Sequence, residues 1–188
     1  PAPLSDNHMI AAYFKDGKYY FLDATGKNAS IDMYTSFIQG KEAMIGNGEN
    51  KFEIVKVPEM PKEKNTYIDS VFVKIENAKL TGRGSVVFSG YEKIDLCDLM
   101  QGMTEEDKTK YSANYLEKGN NKFKIDSLKY FNLKDREKDL RFTYNFLLPD
   151  YMKTNGDEIY LNLNLDKTFM NDVLDPEKRK IDRQVDYK

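Results

Sequence analysis

The chain carries a single imidazole and a single thiol, the side-chain types that most readily act as base and nucleophile near neutral pH. Its 188 residues include one histidine, His8, and one cysteine, Cys97. A single cysteine excludes an intrachain disulfide and a multi-thiolate zinc site, and a single histidine excludes any site that needs two imidazoles. We therefore predict no metal and no cofactor, and the two single residues are the first candidates for catalysis.

The local pattern brings Asp23 towards His8. Asp16-Gly17 stands between two aromatic and apolar runs, 9–14 and 18–23, and Asp-Gly in this setting is a strong hairpin signal. If the turn centres on this pair, the numbers of paired residues sum to 33. His8 and Asp23 then lie on one face as diagonal neighbours, unless a three-residue loop changes the register. Because both faces of the hairpin are apolar, we expect both to be covered.

A carboxylate beside an imidazole has a defined chemical use. The carboxylate accepts the Nδ1 proton, fixes the ring tautomer and stabilises the imidazolium, so that the other nitrogen can deprotonate a thiol or hydroxyl. The alternative at this point is that His8 is an ordinary surface or core residue and that Asp23 caps a turn. Cys97 lies on an amphipathic stretch with Ile94 and Met100, which predicts a buried core thiol.

The first third of the chain predicts short strands and irregular connections. After the hairpin, residues 26–42 are polar and predict a long loop, and short strands follow at 43–46 and 52–57. The segment 58–65 has two prolines and several charges, which is typical of a linker. We place a domain boundary there, with residues 1–60 in one unit and 61–188 in the other.

The second unit predicts an antiparallel sheet with two helices, because short connections favour hairpins. Helices are expected over 93–103 and from Thr104 to Gly119, where a hydroxyl residue followed by acids begins the second one. Two strands are expected in 67–91, around a turn at Thr81-Gly82-Arg83-Gly84. Further strands are expected in 122–131, with a bulge near Asp126-Ser127, and in 140–148 and 159–165. The charged tail 175–188 is expected to be a surface segment or an edge strand.

Charge and hydropathy exclude several classes of partner. The 29 basic and 31 acidic residues give a net charge of -2, without the basic footprint of a general nucleic-acid binder, so we expect no nucleic acid. No apolar run approaches the ~18 residues of a membrane span, and no signal peptide is expected. The acidic residues in 95–107 lack the EF-hand spacing, which indicates a solvated helix face.

The segment from His8 to Thr25 resembles the His-to-Asp segment of the transglutaminase-like superfamily. In that superfamily a His on one strand and an Asp in a Leu-Asp-Ala/Pro-Thr ending on the next complete a Cys-His-Asp triad, and Leu22-Asp23-Ala24-Thr25 matches this ending. Most of the chain resembles large bacterial proteins in which a transglutaminase-like core lies between two β-rich domains. The looser matches are 37–45, Ser89-Gly90-Tyr91 and Glu177-Lys178-Arg179.

The resemblance implies a fold and an activity. The fold would be α+β and mainly antiparallel β: a remnant transglutaminase-like half in 1–60, and an accessory sheet domain with one or two helices in 61–188. His8 would be the general base and Asp23 its orienter, for acyl transfer or amide hydrolysis on a peptide or protein substrate. The papain-type nucleophile precedes the His in this superfamily, but none of the seven residues before His8 is Cys.

We therefore expect a C-terminal part of a larger protein, inactive by itself, with an exposed half-core that favours a dimer. The alternative is a non-enzymatic, β-rich binding or envelope-associated module with a vestigial His8–Asp23 pair. The sequence leaves the compartment open, with the periplasm or cell envelope as one option.

Overall fold

The computed structural model describes residues 8–76, 79–118 and 122–165. The described chain is mainly antiparallel β with two helices, so the predicted α+β class is confirmed. The tail 175–188, Gly119 and the motif at 177–179 lie outside the described residues. The elements are β1 Ala11–Lys15, β2 Lys18–Leu22, β3 Glu42–Gly46, β4 Phe52–Lys56, a 3-10 turn Lys62–Lys64, β5 Tyr67–Glu76, β6 Lys79–Phe88, α1 Gly90–Gln101, α2 Glu105–Tyr115, β7 Lys124–Phe131, β8 Leu140–Leu148, β9 Lys153–Asn155 and β10 Glu158–Tyr160.

The first hairpin has the predicted register. Asp16 has φ 51° and Gly17 has φ 76°, as a two-residue type I′ turn requires. Lys15 pairs with Lys18 and Ala11 pairs with Leu22. The paired numbers therefore sum to 33, and the local turn chemistry alone was sufficient to set the alignment.

The expectation that both faces of this hairpin are covered is wrong within the described residues. Every residue of β1 is exposed, and Phe21 is the only residue of β2 that is buried. The inner face packs against the loop 26–40 and against β3–β4, in a small core of Phe21, Tyr34, Ile38 and Val57. No residue that the structure describes covers the outer face in this way, so Tyr13 and Leu22 are exposed.

A larger core lies between the four-stranded sheet and the two helices. The sheet has the order β5-β6-β8-β7, and β8 alternates buried and less buried residues along its whole length. One sheet face and one side of each helix are therefore apolar, and they pack together. The buried members are Leu80, Val86, Phe88, Leu96, Cys97, Met100, Leu116, Leu140, Phe142, Tyr144, Phe146, Leu148 and Leu165.

The turn predicted at Thr81–Gly84 is wrong, because these residues lie in the middle of β6. A Cβ on Gly82 would approach the Phe72 carbonyl oxygen to 2.3 Å, and one on Gly84 would approach the Tyr144 ring to 2.2 Å. The two glycines make room for neighbouring strands and rings, which is a recognised use of glycine within a sheet. The resulting strands β5 and β6 are ten residues each.

The helices begin close to the predicted positions. The Thr104 hydroxyl accepts a hydrogen bond from the Asp107 amide at 3.1 Å, which confirms the N-cap of α2. The bulge in β7 is also confirmed, as a register shift between Asp126 and Lys129. The last predicted strand is wrong beyond Tyr160, where β10 ends. Among the described residues, no helix is long and apolar enough to cross a membrane.

Ser89-Gly90-Tyr91 joins the two cores. The Asn65 side chain, buried at 3% exposure, accepts a hydrogen bond from the Tyr91 amide at 3.0 Å. Gly90 has φ 61°, and a Cβ there would lie 2.1 Å from the Asn65 Oδ1 atom. The Tyr91 hydroxyl donates to the Tyr34 carbonyl oxygen in the small core at 2.5 Å. The segment predicted as a linker is therefore ordered at its end and packed at this junction.

Candidate functional site

Asp23 is the centre of a hydrogen-bond network at the end of β2. One carboxylate oxygen, Oδ1, accepts hydrogen bonds from the Thr25 amide at 3.0 Å and from the Thr25 hydroxyl at 2.7 Å. The other, Oδ2, accepts a hydrogen bond from the Thr35 hydroxyl at 2.6 Å. The Asp-x-Thr spacing forms a local turn of the kind that Asp favours. Thr35 belongs to the loop 26–40, which therefore lies against the end of β2.

His8 completes this network from the chain that leads into β1. Its Nε2 atom lies 2.9 Å from Asp23 Oδ2. The ring also contacts Phe37 edge to face, with centroids 4.9 Å apart. The His8 side chain is 30% exposed, whereas the Asp23 side chain is 3% exposed. The carboxylate is therefore shielded while the imidazole reaches the surface.

The ring orientation corrects one expectation. We expected Nδ1 to face the carboxylate, but Nε2 does so. Because a buried carboxylate fixes the proton on the nitrogen that it faces, the neutral ring would carry its proton on Nε2. Nδ1 is then the nitrogen with a lone pair. It makes no hydrogen bond to any residue that the structure describes.

The environment keeps Asp23 ionised. Burial by itself would raise the pKa of this carboxyl group, because it disfavours the charged form. The hydrogen bonds from Thr35, from the Thr25 amide and hydroxyl, and from His8 outweigh burial and lower the pKa well below its usual range. A permanently charged acceptor under the imidazole is what an orienting carboxylate must be.

Cys97 does not belong to this site. The thiol is 1% exposed and lies in the larger core, which confirms the prediction of a core thiol. Burial raises its pKa, so the reactive thiolate is disfavoured. In the part of the chain that the structure describes, no group of three or more His, Cys, Asp or Glu residues is placed to hold a metal ion.

The sequence did not point to Thr35 or Phe37. Both lie in the irregular loop 26–40, where no periodicity indicates which side chains turn inward. Thr25 was part of the recognised ending, and its spacing from Asp23 could have indicated the turn that it forms. The contacts of Thr35 and Phe37 depend on how the loop folds back on the hairpin.

Comparison with protein-family models, with curated proteins and with solved structures gives no match in any of the three. The case for a function therefore depends on the geometry of this chain.

Proposed function

We propose that His8 and Asp23 are the base and the orienting acid of a transglutaminase-like site for acyl transfer or amide hydrolysis. The observation that carries this proposal is the 2.9 Å contact between His8 Nε2 and Asp23 Oδ2, made by a shielded carboxylate and a partly exposed ring. Hydrogen bonds to Thr25 and Thr35 hold the carboxylate in place. The resemblance of residues 8–25 to the superfamily supports the same assignment.

The chemistry follows from the free nitrogen. Nδ1 of His8 would take the proton of a thiol, and the thiolate would add to the carbonyl carbon of a peptide amide. The imidazolium, stabilised by Asp23, would then return this proton to the departing amine as the C–N bond breaks and a thioester remains. Water or an acceptor amine would release the acyl group from the thioester.

The thiol has to come from a polypeptide other than these 188 residues. Cys97 is the single cysteine of the sequence and is buried in the other core. Another polypeptide segment or partner would therefore supply the nucleophile, and the chain by itself would lack the activity. The proposed substrate is a peptide or protein, and the dimer predicted from the exposed apolar faces stays a prediction.

A thiol placed beside His8 tests whether the pair can act as a base. Phe37 contacts the His8 ring and is half-exposed, so Phe37→Cys introduces a thiol there without opening either core. We expect iodoacetamide to alkylate this thiol at pH 7 roughly tenfold faster than an ordinary exposed thiol. A p-nitrophenyl ester should also acylate it, which mass spectrometry detects.

Phe52→Cys is the matched control, because Phe52 is exposed on β4 and is not a neighbour of His8 in the network. Adding His8→Gln to Phe37→Cys should return alkylation to the rate of this control. Native Cys97 serves as a slow internal reference. Equal rates for both introduced thiols, with or without His8, would refute the proposed base.

The second candidate is a non-enzymatic binding module, associated with the cell envelope, in which the pair is structural. This candidate is favoured by the four hydrogen bonds that the Asp23 carboxylate accepts. They come from His8, Thr25 and Thr35, so they hold the loop 26–40 and the segment before β1 against the end of β2. A pair that only holds this loop would leave the Phe37→Cys thiol no more reactive than the control. Replacing Asp23 would then lower stability alone.

A further inference from the structure

The outer face of the four-stranded sheet carries a row of short hydroxyl side chains. Ser70 pairs with Ser85, Ser85 with Thr143, and Thr143 with Lys129. Since directly paired residues point to the same side of a sheet, these four side chains form one line across all four strands. The opposite side of the same strands carries the larger core, so this line faces outward.

Longer side chains border this row on both sides. One flanking row is Phe72–Arg83–Asn145–Asp126, and the other is Ile68–Val87–Arg141–Phe131. The short hydroxyl residues therefore form the floor of a trough between two higher walls. A cavity of about 490 Å³ lies over it, which is within the usual size of a small-molecule site.

The trough is basic although the whole chain is acidic. Its three rows contain Arg83, Arg141 and Lys129 and a single acid, Asp126, whereas the chain has a net charge of -2. Within the described residues, none of the three cations makes a hydrogen bond or an ion pair with another side chain. A basic cavity of this kind attracts anions.

The two arginines are held in place by aromatic rings. The Arg83 guanidinium lies 5.2 Å from the centroid of Phe72, and the Arg141 guanidinium lies 4.6 Å from the centroid of Phe131. Stacking on a ring uses the flat face of a guanidinium and leaves its N–H groups at the edge. Those N–H groups can therefore bind the two oxygens of a carboxylate or phosphate.

The bulge in β7 adds a fourth hydroxyl to the cavity. The register shift between Asp126 and Lys129 leaves Ser127 as an extra residue. Ser127 has a backbone φ of 55°, a value that residues other than glycine rarely adopt. Bulges often redirect a side chain near a functional site. Here the bulge places Ser127 in the lining of the cavity, together with Ser70 and Lys129.

We propose that this trough is a binding site for a small hydroxylated molecule that carries an oxyanion, either a carboxylate or a phosphate. Arg83 and Lys129, which line the cavity, would bind the oxyanion, and the serine and threonine hydroxyls of the floor would bind the hydroxyl groups. Arg141, in the other flanking row, would add positive charge at a greater distance. This site is on a different face and in a different core unit from His8 and Asp23. It does not depend on the function proposed for that pair.

A small ligand fits better than a nucleic acid strand. Each phenylalanine of the trough has an arginine over one face of its ring, which leaves less ring surface for base stacking. The cavity also spans one sheet rather than a long basic groove. A hydroxylated anion of sugar size matches both the volume and the mixture of hydroxyl and cationic groups.

Titration of the ¹⁵N-labelled chain followed by NMR tests this site. The probes are inorganic phosphate, glucose 6-phosphate, glucuronate and uncharged glucose, at a fixed ionic strength near 0.15 M. We expect saturable shifts in β5, β6, β7 and β8 with glucuronate or glucose 6-phosphate, weaker ones with phosphate, and none with glucose. The two sugar anions distinguish a carboxylate site from a phosphate site.

Arg83→Gln should weaken binding at least tenfold, and Ser85→Val should weaken it through loss of the floor hydroxyl. Arg136→Gln is the matched control, because Arg136 is an exposed arginine outside the trough, and it should leave binding unchanged. No saturable shift up to 10 mM ligand (about the weakest affinity of interest) would overturn the proposal. So would equal effects of Arg83→Gln and Arg136→Gln, or binding of a single-stranded oligonucleotide but of no small anion.

Discussion

The two cores of this protein differ in size and in what covers them. The core around Phe142 has thirteen buried residues between a four-stranded sheet and two helices. The core around Phe21 has four buried residues between two separate two-stranded hairpins and an irregular loop. A two-stranded hairpin is only marginally stable without further strands or helices. The smaller unit therefore depends on its loop and on its junction with the larger one.

The difference explains where the candidate chemistry lies. The His8–Asp23 pair belongs to the smaller unit, where polar contacts rather than a large apolar core hold the side chains. Through its hydrogen bonds, Asp23 connects the hairpin, the Thr25 turn and the Thr35 loop. Binding and catalytic groups are commonly found in such less stable regions, supported by a more rigid part of the molecule.

Core truncations give the largest expected effect. Phe142 is fully buried, and its ring centroid lies 5.0 Å from those of Phe88 and Tyr130. Phe142→Ala should therefore lower the free energy of unfolding by about 3–5 kcal/mol. Phe21→Ala should cost on the order of 2–3 kcal/mol, because the partly exposed surroundings can collapse or admit water. Urea unfolding measures both values.

The same two variants should differ in hydrogen exchange. Phe21→Ala should release the amides around Asp23 while those of β6 and β8 stay protected, because local unfolding follows the smaller core. Phe52→Ala, at an exposed position, is the control and should change stability by less than about 0.5 kcal/mol. Equal costs in both cores would contradict the difference drawn between them.

Glycine substitutions in the two units should give stability changes of intermediate size and opposite sign. Gly82→Ala should destabilise the protein by about 1–3 kcal/mol, because its Cβ would lie 2.3 Å from the Phe72 carbonyl oxygen. Gly46, in β3 of the smaller unit, has no atom within 4 Å of a new Cβ. Gly46→Ala should therefore be neutral or stabilise by up to about 1 kcal/mol. Thermal unfolding of both variants checks the opposite signs, and a neutral Gly82→Ala would show that β5 can move aside.

Acid should weaken the smaller unit through Asp23. The folded-state pKa of this carboxyl group lies below its ordinary value of 3.8, so its stabilising effect is present above that value and is lost as the pH falls below it. At pH 7 this effect is on the order of 2 kcal/mol relative to Asp23→Asn. The difference in free energy of unfolding between the wild type and Asp23→Asn should shrink steadily as the pH falls from 5 to 2.5.

Unfolding monitored at several pH values checks this dependence. Asp157→Asn, at an exposed turn between β9 and β10, is the matched carboxylate control and should show little change with pH. A wild-type advantage over Asp23→Asn that is constant from pH 7 to pH 2.5 would mean that the network does not depend on the charge of Asp23.

Local patterns predicted the features that depend on neighbouring residues. Asp16-Gly17 set the register that places His8 beside Asp23, and Thr104 with the acids after it set the start of α2. The alternation along β8 predicted a strand with one buried face. Each of these signals acts over one turn of helix or one hairpin, where sequence spacing and distance in space coincide.

Features that depend on distant contacts could not be predicted in this way. Gly82 and Gly84 looked like turn residues, and their role became clear only with Phe72 and Tyr144 lying against them. The hydroxyl row of Ser70, Ser85 and Thr143 depends on the pairing of β6 with β8, which skips α1, α2 and β7 in the chain. Sequence spacing carries no information on such pairings.

By itself the sequence determined that one histidine and one carboxylate could meet on a hairpin and that the single thiol would be buried. The tertiary structure decided which nitrogen of His8 faces Asp23 and that Thr35 and Phe37 complete the site. It also decided that Arg83 and Lys129 line a cavity over a row of hydroxyl side chains. The physical reason is range: a tight turn fixes the geometry of its own strands, whereas burial, exposure and charge at a surface are set only when the sheet and the loops assemble.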